Sequence, residues 1–403
     1  MALGVCPLRF PITQYYLPFT CNHGYIQSMK VLILSCNTGG GHNTAAKAIK
    51  EVFDSYNDEC EIKDALSFGS QLASDLVCDT YVEMVKKAPE LFGKLYKIGE
   101  KLGQSLQKTG NLHSPIYQIN KLYADDLEDY IIKNQFQLVI CCHFFGAEAM
   151  TYLKVKHNLK IPFYFVATDY YVSPMIEETE PKKIFVAHKD SIFTYLNHGI
   201  SSHKLIPTGI PVSQKFVKEG NKAQARKELN LNEKDQIFLL MSGSMGFGDT
   251  IDIAKYILSN GNEHTRIIAI TGNNKALFTE FQNNFSEDKR VISVGFTDQV
   301  DLYMEASDLL LTKPGGLSST EAFVKGIPII HTSPIPGCES ENVQFFTEHH
   351  LSLCAQNSKE AGRLACLLMQ DEFLRNQILQ AQKHYKCENS AKAIVDYVKK
   401  DFK

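Results

Sequence analysis

Short apolar runs alternate along this chain with stretches whose apolar residues recur every three or four positions. Residues 31–36 are almost continuously apolar, the pattern of a strand buried on both faces. They run into Asn37, Thr38, Gly39, Gly40, Gly41 and His42, after which Asn43 or Thr44 can cap a helix. That helix is marked by Ala45, Ala46, Ala48, Ile49, Val52 and Phe53. A second strand at 59–64 completes a βαβ opening. Further strands are predicted at 137–142, 163–168, 183–187, 237–241, 266–271, 291–294, 309–312 and 327–332. Helices are predicted at 317–325, 360–385 and 390–399. Strands that alternate with helices pair in parallel. The strand, glycine loop and helix at 31–53 recur from residue 237, which predicts an α/β protein of two Rossmann-like domains facing a central cleft.

The richest segment is 313–342. The run Leu309, Leu310, Leu311 leads into Lys313, Pro314, Gly315 and Gly316, and a helix-compatible stretch carries Ser318, Ser319, Thr320 and Glu321 in its opening. Glycines between a strand and a helix let backbone N–H groups approach an anion, and the helix N-terminus adds partial positive charge. Glu321, one turn in, suits a grip on ribose hydroxyls, while Glu339 and Asn342 lie in a Pro-rich loop after the next strand, within reach of an attached sugar. Two glycines alone are weak grounds, because many α/β domains have them. The acidic residue in the helix and the PxPGxExxN loop raise the signal to a nucleotide-sugar pocket. A second glycine loop at 242–248, with Gly243 and Ser244, follows strand 237–241.

In the first lobe the chemistry-bearing residues fall at strand ends, where open α/β sheets bind ligands. They are Gly40, Gly41 and His42 after the first strand, Asp64 after the second, His143 after the third and Asp169 after the fourth; His42 is the first candidate for a general base and Asp169 the second, and Gly40, Gly41, Asp64 and His143 are candidate acceptor contacts. Each has a bland reading. His42 can be a surface histidine in a loop, and His143 and Asp169 can be helix caps or loop hydrogen-bonders. Residues 81–108 form one apolar helical face, Leu91, Leu95, Ile98, Leu102 and Leu106, beside six lysines from Lys86 to Lys108. Such a helix either packs on a core or lies on an anionic membrane.

The segments KPGGLSSTEAF, PIPGCESEN, GGGHNTAA and TGIP together resemble the signatures of family 28-type glycosyltransferases. The chain is most similar to the processive diacylglycerol glucosyltransferases of bacteria and the monogalactosyldiacylglycerol synthases of plastids. The resemblance implies a GT-B fold, a UDP-sugar donor, a diacylglycerol acceptor and inversion at the anomeric carbon. It implies that His42 acts in catalysis or acceptor binding and that Gly243 and Ser244 lie across the diphosphate. It implies that Gly295 and Phe296 clamp the uracil, that 81–108 dock on the membrane, and that the last helix returns to the first lobe. Cys338 stands where relatives commonly carry Gln, which leaves glucose against galactose open. A transferase of N-acetylglucosamine to a lipid-linked peptidoglycan precursor, a UDP-sugar epimerase and a catalytically silent UDP-sugar sensor with a protein partner remain alternatives.

Composition narrows the setting. The 403 residues suffice for two domains, and 44% hydrophobic and 22% charged residues describe a globular chain with a sizeable core. A net charge of −3 gives no reason to expect nucleic acid. The 11 cysteines show no CxxC pair and no ligand cluster, so free thiols are expected. Asp249 and Asp252 have two residues between them and so are not an Asp-x-Asp metal motif, and no metal or other cofactor is expected. The domains are expected at 29–205 for the acceptor and membrane, and 206–385 for the donor, with 386–403 as a final helix. The expected location is cytoplasmic, peripheral to the inner face of the cell membrane. Residues 1–28 carry Pro7, Pro11 and Pro18 and no signal-peptide layout, so Met29 is the expected natural start. Mass spectrometry of the native N-terminus checks this: a cellular peptide spanning Arg9 to Ser28 contradicts it.

Overall fold

The computed structural model describes residues 28–37, 40–69, 117, 121, 123–173, 175–241, 250–332, 334, 338–387 and 389–402. The expectations for 1–27, for the basic helix at 81–108, and for Gly243 and Ser244 fall outside the described residues. The first sheet contains β1 (Lys30–Ser35), β2 (Glu59–Asp64), β3 (Leu138–Cys141), β4 (Phe163–Val166), β5 (Ile184–Val186) and β6 (Leu205–Pro207). All pair in parallel, in the order β2-β1-β3-β4-β5-β6. The second contains β7 (Gln236–Met241), β8 (Thr265–Ile270), β9 (Val291–Val294), β10 (Leu309–Thr312), β11 (Ile329–His331) and β12 (Leu353–Cys354), in the order β12-β11-β10-β7-β8-β9.

In both sheets the chain starts near the middle, builds to one edge and then crosses to the other side. The order therefore reverses between β1 and β3, and again between β7 and β10. Loops leaving strands at such a reversal splay apart and open a crevice. The helices α1 (Gly40–Ser55) and α2 (Gly316–Lys325) start at these two places, after β1 and β10. Two more helices matter here, α3 (Cys338–Glu348) and α4 (Ser390–Phe402).

Three details differ from the pattern-based reading. Residues 205–207 are the edge strand of the first sheet, so the link between lobes follows them. Glu339 and Asn342 lie in the opening of α3, not in a loop. The expected helix over 360–385 is two helices, because Asp371 between them accepts from Leu374 N and caps the second.

Helix α4 belongs to the first lobe by its contacts. Ala391, Ile394, Val395 and Val398, spaced for one helical face, pack among Met29, Val31, Ile33, Ile49 and Val52. Lys399 forms a buried ion pair with Asp58, whose other oxygen accepts from Met29 N at 2.9 Å. Tyr164 Oη donates to Asp401 at 2.9 Å. The linking segment passes under the start of this helix at Gly209, where φ is +88° and a Cβ would lie 2.3 Å from Ser390 Oγ. Among the described residues, no helix is long and apolar enough to cross a membrane.

Removing one partner of a buried ion pair leaves the other charge unpaired. Lys399→Ala should therefore lower stability by about 3–5 kcal/mol, read as a shifted urea midpoint. Asp58→Asn combined with Lys399→Met should recover most of that loss.

Candidate active site

His42 sits in the first turn of α1, at the reversal between β1 and β3. Its Nδ1 lies 2.9 Å from the carbonyl oxygen of Cys142, just past the end of β3. A carbonyl only accepts, so Nδ1 carries the proton and Nε2 presents a lone pair. Nδ1 also lies 3.0 Å from Thr168 Oγ1, and the Thr168 hydroxyl is 3.5 Å from Asp169 Oδ2. Burial lowers the His42 pKa to about 4, against the Cys142 hydrogen bond that raises it. The ring is therefore neutral near pH 7, in the tautomer of a base.

Opposite stands the start of α2. Its N-cap is Gly315, whose backbone is extended and which has no side chain to satisfy the orphan N–H groups. Gly316 follows, and a Cβ there would lie 2.0 Å from Thr168 O and 2.7 Å from Asp169 Oδ1. Glycine is required for this approach of one lobe to the other. Asp169 lies against Gly316 and accepts from Asn342 Nδ2 at 2.8 Å. Burial raises its pKa to about 6; the Asn342 bond, Lys313 and the Gly316 N–H pull it down, and Glu339 pushes it up. Beside it, Lys313 and Glu339 form an ion pair of 2.5 Å, with both side chains largely buried.

Glu321 points into a cavity of about 390 Å³. Ser318, Phe296 and Asn273 of the second lobe share its lining with Thr44, Lys47 and Glu51 of α1. Glu321 is 7% exposed, and no protein group among the described residues donates a hydrogen bond to it. Burial raises its pKa to about 8, against Lys215, which lowers it. A buried carboxyl without a protein donor is completed by a ligand that brings donors, such as a vicinal diol. Phe296, 75% exposed, offers a bare aromatic face at the rim.

Other expected site residues have different work. Asn342 is fully buried and uses its whole amide within the protein. Its Oδ1 accepts from Tyr170 N at 2.8 Å, and its Nδ2 donates to Asp169 and to Pro314 O, so it ties the lobes and has no group left for a sugar. Ser319 turns away from the cleft to His331 Nε2 at 3.0 Å in the core. Asp64 accepts from Leu66 N and Asn37 N, so it caps the turn after β2 and tethers the loop after β1. His143 Nδ1 accepts from Phe145 N as a helix cap, while its ring stands edge-on to His42 at 4.6 Å. Gly41 packs against Leu317 of the second lobe. Gly40, exposed, opens α1.

Thr168, Thr44, Lys47 and Glu51 were not anticipated. Thr168 directly precedes Asp169 at a strand end, and the other three lie on the helix that carries His42, so proximity in sequence was the available signal. Glu51 also accepts from Ser213 Oγ at 2.9 Å and Gln214 N at 3.1 Å, joining α1 to the segment that links the lobes.

Residues 42–212 match the monogalactosyldiacylglycerol (MGDG) synthase family, and residues 237–397 match the glycosyltransferase family 28 C-terminal domain. The chain is 26% identical to the processive diacylglycerol beta-glucosyltransferase of Staphylococcus aureus strain MRSA252, over 87% of this chain and 88% of that protein. Among solved structures it is similar to Acinetobacter baumannii MurG, with a TM-score of 0.58 and 13% identity over 93% of this chain and 99% of that one. It is also similar to the UDP-GlcNAc 2-epimerase of Neisseria meningitidis bound to UDP-GlcNAc, with a TM-score of 0.61 and 16% identity over 92% of this chain and all of that one (100%).

The raised Glu321 pKa has a consequence for the ligand-free protein. Between the ordinary value of 4.5 and about 8, folded Glu321 holds a proton that the unfolded chain has lost. Its contribution to stability is therefore fully present below 4.5 and falls as pH rises towards 8, by up to about 1.4 kcal/mol per unit. Glu321→Gln should remove this slope; thermal unfolding of both proteins from pH 5 to 9 checks it, and parallel curves contradict it.

Proposed function

Because the chain belongs to the family 28-type glycosyltransferases, we propose that it moves a hexose, glucose or galactose, from a UDP-sugar to diacylglycerol, making a membrane glycolipid. Its fold is the GT-B arrangement of two Rossmann-like lobes. The observation that carries the reading is the meeting of a neutral, correctly tautomeric His42 with a glycine-capped helix start across one cleft. The name of the relatives matched over 87% of the chain supports the lipid acceptor and glucose as one of the two donors.

Each task of the transfer has a group to perform it. The uracil lies at Phe296, and Glu321 accepts from the ribose hydroxyls, with Ser318 beside it. The diphosphate sits at Gly315 and Gly316, where the start of α2 and the nearby Lys313 offset the charge that grows on departure. Gly243 and Ser244 are proposed to close over it. Glu339, held by Lys313, faces the sugar hydroxyls. His42 Nε2 takes the proton of the acceptor hydroxyl as its oxygen bonds the anomeric carbon and the bond to UDP breaks. Attack opposite the leaving group inverts that carbon, so an α-linked donor gives a β-linked product. A lipid acceptor places the work at a membrane surface, peripherally on the inner face of the cell membrane, with 81–108 as the proposed contact.

UDP release with UDP-glucose or UDP-galactose, with and without diacylglycerol in anionic vesicles, tests this. Lipid-dependent release with one sugar is expected, whereas donor binding without release contradicts the transferase. His42→Ala should keep donor affinity and lose at least about 100-fold in turnover; retained turnover removes it as the base.

A further inference from the structure

We propose that Asp169 and the donor's diphosphate compete for the same helix start, so that donor binding makes Asp169 take up a proton. The inference deepens the donor reading above and rests on it.

The start of α2 has no capping side chain of its own, since Gly315 is its N-cap. The Asp169 carboxylate of the other lobe stands against it: its Oδ1 would lie 2.7 Å from a Cβ on Gly316. An anion thus already occupies part of the place where a diphosphate belongs. Glu339 is a second carboxylate nearby, and Lys313 pairs with it. A diphosphate adds two more negative charges to this crowded spot, and like charges at close range cannot all stay ionised.

Asp169 has little room to swing away. Asn342 Nδ2 holds Oδ1 at 2.8 Å, Asn342 Oδ1 holds the next residue's N–H at 2.8 Å, and Oδ1 lies against Gly316. Taking a proton from solvent is the simpler relief, and a carboxyl raised to about 6 by burial takes one readily. The groups facing Asp169 are known from every side. They are Thr168 and, through it, His42; Tyr170 and Tyr195 of the first lobe; and Lys313, Glu339, Asn342 and the Gly316 N–H of the second. Of these, His42 stays neutral down to about pH 4, and burial pushes both tyrosines upward, so Asp169 is the group poised to change charge between pH 6 and 8. Asp169 is therefore a positioning residue: it stands against the start of the donor helix and, through Thr168, stays in touch with the base.

Calorimetric titration with UDP-glucose or UDP-galactose tests this, because either diphosphate diester keeps a constant charge from about pH 5 to 8. Repeating it in buffers of different ionisation enthalpy counts the protons taken up. Glu321 also titrates in the donor cavity, so the reading is the difference between wild type and Asp169→Asn. Wild type should bind more weakly as pH rises from 6.5 to 8, by up to about tenfold per unit, relative to the variant. The variant should take up about one proton fewer at pH 7.5, bind more tightly at pH 8, and turn over more slowly. If Asp169→Asn does not fold, Asp169→Ser carries the same expectations. Equal proton counts and parallel pH profiles overturn the competition and leave the donor reading intact. No binding of UDP-glucose or UDP-galactose by wild type at any pH removes the donor reading and the competition with it.

Discussion

The constraint on which the cleft depends is the contact between the backbone of Thr168 and the start of α2, which only a glycine at 316 permits. Two sheets facing each other would otherwise be held apart by side chains. Here the strand-end tripeptide Thr168, Asp169 and Tyr170 enters the second lobe. Tyr170 stacks on Phe345 with ring centroids 4.4 Å apart and meets the Thr320 hydroxyl at 3.0 Å. Thr168 also touches His42, so the contact that joins the lobes places the base opposite the donor helix. A methyl group at 316 would disturb fold and chemistry together.

Burial then sets the charge state of the cleft. It drives His42 down to about 4, Asp169 up to about 6 and Glu321 up to about 8. The sign differs because desolvation disfavours whichever form is charged. The cleft is accordingly short of negative charge at Glu321 and free of positive charge at His42. What remains is a preorganised helix start and the Lys313–Glu339 pair. Such a site meets an anionic leaving group with fixed dipoles, which need no reorganisation at the moment of reaction.

Much of this was legible in the sequence where the partners are local. The glycine pair and Glu321 belong to one strand-to-helix unit, so their spacing alone points to a pocket, and Phe296 follows another strand end. His42 was visible because a glycine loop after the first strand of an open sheet points to the crevice. The reading failed where the decisive partner is far along the chain. Asn342 looks like a sugar contact until Tyr170 and Asp169 are placed beside it. Ser319 shares a helix turn with Ser318, yet one step around the helix turns it to His331 in the core. Asp64 and His143 were strand-end residues whose nearest unmet backbone groups are a few positions away, and they serve as caps. The break at Asp371 hides in a helical pattern that continues on both sides.

The central claim is that base and donor helix meet across one cleft, with the nucleotide laid from Phe296 past Glu321 to Gly316. A crystal structure of the protein with UDP bound tests it most directly. The account predicts the uracil at Phe296, the ribose hydroxyls on Glu321, and the β-phosphate on the Gly316 N–H beside Asp169. UDP bound elsewhere, or a β-phosphate distant from α2, would contradict the account.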